Sequence, residues 1–86
     1  GAQGEATAKA DFSENPAKQQ LGLFRDKSNA EEFVRRLNEK NFKGYIQEET
    51  RSSGTTYYIV LVDENEDGSM GLKLKSAGFE CYPVFQ

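Results

Sequence analysis

The clearest pattern in the chain is a pair of strand-helix-strand units. From Lys18 to Phe24, Leu21 and Leu23 alternate with Gln20 and Gly22, the period of a strand with one buried face. Ala30, Phe33, Val34 and Leu37 then recur at helical spacing, with Glu31, Glu32, Arg35, Arg36 and Glu39 between them. Ser28 and Glu31 have the spacing of a capping box at the start of this helix, after a turn at Arg25-Asp26-Lys27. Glu32 and Arg36 are spaced to pair one turn apart. Asn41 is placed to take the left-handed position that ends the helix. Residues 44–50 and 55–62 are rich in aromatic and β-branched side chains and predict two strands. The loop Arg51-Ser52-Ser53-Gly54 between them makes these strands an antiparallel hairpin. A second helix is predicted over 69–77, buried through Met70, Leu74 and Ala77 and stopped at Gly78. A last strand follows over 79–85, with Pro83 placing it at an edge or a bulge.

The two halves echo one another. Leu37-x-x-x-Asn41-Phe42-x-Gly44-Tyr45 matches Leu74-x-x-x-Gly78-Phe79-x-Cys81-Tyr82. Each half supplies a helix end, a left-handed stop, an apolar anchor, a small residue and a tyrosine. Two such units joined by a hairpin predict an α+β fold, ferredoxin-like or RNP-like βαββαβ, with a four-stranded antiparallel sheet and both helices on one face. Strand parity then points Leu21, Leu23, Phe42, Ile46, Ile59, Leu61, Phe79 and Cys81 toward the helices. It points Gln20, Tyr45, Gln47, Tyr58, Val60, Tyr82 and Val84 to the open face. Three tyrosines and two glutamines, Gln20, Tyr45, Gln47, Tyr58 and Tyr82, give this face flat apolar rings and neutral hydrogen-bonding groups with few charges, and are its candidate binding residues.

Residues 1–17 have no hydrophobic period and read as a linker or disordered tail, with Phe12 its one sizeable apolar group. The domain proper is expected over 18–86. Gly1-Ala2-Gln3-Gly4 lacks a methionine and reads as a cloning scar, so the natural protein is expected to be longer. No apolar run approaches the roughly 18 residues a membrane helix needs. No direct membrane contact is expected from this segment, which reads as a monomer.

The chain has no histidine and one cysteine, which excludes an internal disulfide, a Cys/His zinc site and a Ser-His or Cys-His nucleophile pair. What remains for chemistry is carboxylates, lysine, tyrosine and one thiol, so an enzyme is the least supported reading and no cofactor is expected. Cys81 occupies a small buried position and is expected to be inert. Asp63-Glu64-Asn65-Glu66-Asp67 has the acid spacing of a calcium loop but lacks the terminal glutamate, and reads as a solvated turn. Arg25 and Arg51, placed near opposite strand ends, read as solvated loop residues. The net charge of −3 opposes phosphate contacts, so nucleic acid is not an expected partner.

Gln20-Leu21-Gly22-Leu23-Phe24, Asn29-Ala30, Leu37, Phe42, Tyr57-Tyr58-Ile59-Val60-Leu61-Val62 and Leu74-x-x-x-Gly78-Phe79 follow one another in an order that resembles the SPOR (sporulation-related repeat) domain. The resemblance covers residues 18–86. Tyr58 stands where the family usually has arginine, and Val62-Asp63-Glu64 replaces Gly-Pro-Phe. The resemblance implies an RNP-like fold that binds peptidoglycan glycan strands stripped of their peptide stems. It also implies a sheet-face site that includes Gln20, which makes Gln20, Tyr45, Gln47, Tyr58 and Tyr82 the candidate glycan-binding residues, with rings for sugar C–H faces and amides for hydroxyl and N-acetyl groups. On the same reading Arg25 and Arg51 are able to meet lactyl carboxylates. The expected setting is the bacterial cell envelope on its periplasmic or extracytoplasmic side, within a larger division or envelope protein held by a membrane anchor. Other division proteins are further expected partners. A second reading is a protein–protein module using the same face. A third is single-stranded RNA on an RNP-like sheet, opposed by the missing basic RNP1 pattern.

Overall fold

A computed structural model describes residues 16–85. Most of the expected tail, with Phe12, lies outside these residues. The order is β1 (Lys18–Phe24), α1 (Lys27–Glu39), β2 (Gly44–Thr50), β3 (Thr56–Asp63), α2 (Met70–Ser76) and β4 (Tyr82–Val84). The strands form one antiparallel sheet in the order β2-β3-β1-β4. This is the expected βαββαβ arrangement.

Both helix ends follow the internal repeat. Asn41 and Gly78 adopt positive φ of 72° and 96°. The Phe42 amide donates to the Leu37 carbonyl at 3.0 Å, and the Phe79 amide to Leu74 at 2.9 Å. These are the six-to-one bonds of a Schellman stop, which satisfy carbonyls the helix leaves unpaired. The two anchor rings then meet edge to face at 6.0 Å, so the duplicated motif closes on itself.

The core lies between the sheet and the two helices. Leu21, Ala30, Leu37, Val60, Val62, Leu74 and Cys81 form its buried centre. Phe24, Phe33, Val34, Phe42, Ile46, Tyr58, Met70 and Phe79 pack around it. The start of α1 differs from the expected capping box. Asp26 is the N-cap, and its carboxylate accepts from the Ser28 amide at 3.1 Å. The helix therefore begins two residues early, and Ser28 bonds Asp26 instead of Glu31. Arg35 pairs with Glu32, while Arg36 lies over the Phe33 ring at 4.9 Å.

The strand parity also differs, at one point with large consequences. Gln20 faces Leu61 and Gly22 faces Val60, with Leu21 extra between them. This bulge places both Leu21 and Gly22 opposite one partner and returns Leu23 to the other face. Leu23 consequently pairs with Ile59 and is 45% exposed. In β3, Tyr58, Val60 and Val62 belong to the helix side, whereas Ile59 and Leu61 share the open face with Gln20 and Leu23. The bulge corrects the expected placement of Leu23 beneath the helices. The expected placement of Tyr58 and Val60 on the open face, and of Ile59 and Leu61 beneath the helices, is corrected by the hairpin register, in which Thr50 pairs with Thr56 and Thr55 joins the loop. The run Tyr57–Val62 is apolar on both faces, so alternation gives no parity there.

β4 is shorter than predicted. Phe79 and Cys81 are spent on the core before the strand begins, and only Tyr82–Val84 pairs with β1. The Ala17 amide donates to the Val84 carbonyl at 2.8 Å. The chain thus enters and leaves the domain side by side.

The acidic turn is an ordered cap rather than a loose loop. Glu64 accepts from the Gln19 amide side chain at 3.2 Å and from the Met70 amide at 2.9 Å. Gln19 is buried beneath α2, where Gly71 leaves room for it. Asp67 accepts from the Ser69 hydroxyl and amide, which hold its carboxyl below the usual range. No cluster of metal-ligating side chains occurs among the described residues.

Candidate functional site

Two helices cover one side of the sheet, and neither covers the other. Pairing fixes which side chains share that open side, because residues directly opposite in an antiparallel ladder point the same way. Leu61 lies between Tyr45 and Gln20, and Ile59 between Gln47 and Leu23. Tyr57 faces Glu49, and Tyr82 faces Gln20. Ile59 and Leu61 sit mid-sheet and are nearly closed off, so they form an apolar floor. Gln20, Tyr45 and Tyr57 are half-buried around it, while Gln47 is exposed and Tyr82 is 65% exposed.

Four of the five predicted residues therefore meet on one face: Gln20, Tyr45, Gln47 and Tyr82. Tyr58 does not. It packs against the core from the helix side, opposite Phe24 and Glu48. Tyr57 takes the place expected of it. The signal for Tyr57 is its register with Glu49 across the hairpin: Thr50 pairs with Thr56, so Thr55 belongs to the loop and the parity of β3 is the reverse of that expected. Leu23 was missed for a different reason, the bulge in β1.

The rings are held in place by polar partners. The Tyr45 hydroxyl donates to Asp63 at 2.7 Å. Burial, together with this bond and the carboxylate charge, raises the Tyr45 phenol to about 12. Its proton is bound more tightly in the folded chain than in the unfolded one, where the phenol titrates near ~10. The contribution is thus complete below about pH 10 and is lost as pH rises through about 12. Tyrosinate absorbance should show one late step that Tyr45→Phe removes; an unchanged titration curve in that variant would contradict the assignment.

At the hairpin end the guanidinium carbons of Arg51 and Arg25 lie 4.3 and 5.9 Å from the Tyr57 ring centroid. The two arginines expected near opposite strand ends are brought to one ring. Cys81 is buried, and its desolvated thiol is raised above the ordinary range. A hollow of about 610 Å³ lies behind β4 between Lys75 and Pro83, and of the open-face rings only Tyr82 reaches it. The face spreads these side chains across all four strands of the sheet.

An RNP-like sheet with one uncovered, ring-bearing face defines a binding module of the α+β class. The comparison with protein families is specific: residues 18–84 match the SPOR domain, and the chain belongs to that family. It is a family of peptidoglycan-binding modules, binding domains and not catalytic ones, typically found in the periplasm or otherwise outside the cytoplasm. A Treponema pallidum (strain Nichols) protein named only as uncharacterized is 39% identical over 72 residues, which is 84% of this chain. The match spans 19% of that relative's length. No solved structure gives a significant match. No helix among the described residues is long and apolar enough to cross a membrane.

Proposed function

We propose that the open sheet face holds peptide-free peptidoglycan glycan strands and thereby localises a larger envelope or division protein on the extracytoplasmic side. The observation that carries this reading is the gathering of Gln20, Tyr45, Gln47, Tyr57 and Tyr82 around the Ile59–Leu61 floor. Rings supply stacking area for pyranose faces, and the two amides supply neutral donors and acceptors. The role needs no catalysis. The exposed Leu23 on the same face supports a second reading, a protein partner.

Sedimentation with purified sacculi tests the choice. The domain should pellet with sacculi whose stems an amidase has removed, and much less with intact ones. NMR titration with peptide-free oligomers should move the amides of Gln20, Tyr45, Gln47, Tyr57 and Tyr82 and leave Tyr58 nearly still. Retention in the supernatant with both preparations would reject the glycan reading and favour the partner.

A further inference from the structure

Arg25 follows β1 and Arg51 opens the β2–β3 hairpin, yet both side chains reach Tyr57. Cation–π contact restrains two otherwise mobile side chains at the edge of the open face. Glu49, opposite Tyr57, places a carboxylate oxygen 3.6 Å from the Arg51 Nε, with both side chains 46% exposed. One carboxylate thus stands against two guanidiniums. At the other end of the same face Lys18 and Asp63 sit opposite one another in register, so charge balances there. The surplus cation of this face lies at the hairpin end, in a chain whose net charge is −3.

A guanidinium fork matches a carboxylate in plane and spacing, and a ring beneath it reduces the entropy lost on engagement. Among glycans of this type, a muramic residue whose stem has been removed carries a free lactyl carboxylate; with its stem attached, that carbon is a neutral amide. We propose that Arg25 and Arg51, seated on Tyr57, form a carboxylate subsite that takes the lactyl group of stem-free glycan. This rests on the glycan reading above and says which chemical group sets its preference. Glu49 competes for the same guanidinium and weakens the subsite.

The test compares the intact domain's affinity for three soluble oligomers of equal length: stem-free peptidoglycan glycan, the same glycan with its peptides, and chitin oligomer, which has no carboxylate. The stem-free glycan should bind about tenfold tighter than chitin, and added salt should narrow the gap. Arg25→Gln and Arg51→Gln should each close the gap by about threefold without weakening chitin binding. Glu49→Gln should widen it by about twofold, a change of opposite sign that a folding defect does not produce. Equal affinity of the wild-type domain for chitin and stem-free glycan, or a gap that survives the double arginine variant, would overturn the subsite while leaving the glycan reading intact. Binding of neither oligomer would overturn both.

Discussion

Tyr57→Ala should cut affinity for stem-free glycan at least about tenfold while costing the fold only roughly 0.5–1 kcal/mol. Tyr58→Ala, one residue along, should do the reverse. The reason is geometric. Tyr57 stands on the open face opposite Glu49 and beneath the two arginines, and its removal takes away one ring of the proposed platform and the seat of both guanidiniums. Tyr58 is half-buried against the core, so its truncation should cost about 2 kcal/mol and leave the binding of folded protein within about twofold. Denaturant melts paired with isothermal titration on both variants check this. Loss of binding in Tyr58→Ala at full folding, with Tyr57→Ala unaffected, would mean that the face bearing the site has been misassigned.

Leu37→Ala should produce the largest loss of stability, about 3 kcal/mol. Leu37 is fully buried at the end of α1 and belongs to the central cluster. It also presses on Gly44, where a methyl group would come within 2.8 Å of its Cδ1. The close approach lets α1 sit directly on the first residue of β2. A cavity there cannot be filled from Gly44, which has no side chain to offer. A domain of this size has roughly 5–10 kcal/mol in total, so the melting temperature should fall by on the order of 15 °C. A drop of only a few degrees in calorimetry would show that the helix settles into the gap.

The contrast between Tyr57 and Tyr58 also marks the limit of reading this chain from its residues. The repeat built on Leu37–Phe42 and Leu74–Phe79 was legible because a helix stop needs particular residue types at particular offsets, and Asn41 and Gly78 supply them. The sheet and its open face followed from that. Gln20, Tyr45, Gln47 and Tyr82 were placed correctly because their strands carry a usable alternation or an edge position. β3 carries none: from Tyr57 to Val62 every residue is apolar or aromatic, so either parity satisfies the pattern. The deciding feature there is the hairpin loop, which takes in Thr55 and so pairs Thr50 with Thr56. The bulge in β1, which moves Leu23, leaves no mark in composition either. The meeting of Arg25 and Arg51 was equally hidden. It depends on β1 ending beside the start of β3, a consequence of strand order that neither loop announces by itself.

The adjacency of Ala17 and Val84 has a mechanical consequence. The described segment enters and leaves beside Lys18, at the opposite end of β1 from the Arg25 side. Were the open face to hold a polymer as proposed, segments joined there would act as one leash, around which the domain could swivel to align its sheet with it. Pulling the two ends apart would instead load the β1–β4 pairing bond by bond, as a zipper opens, so that short last strand is where tension would first undo the domain.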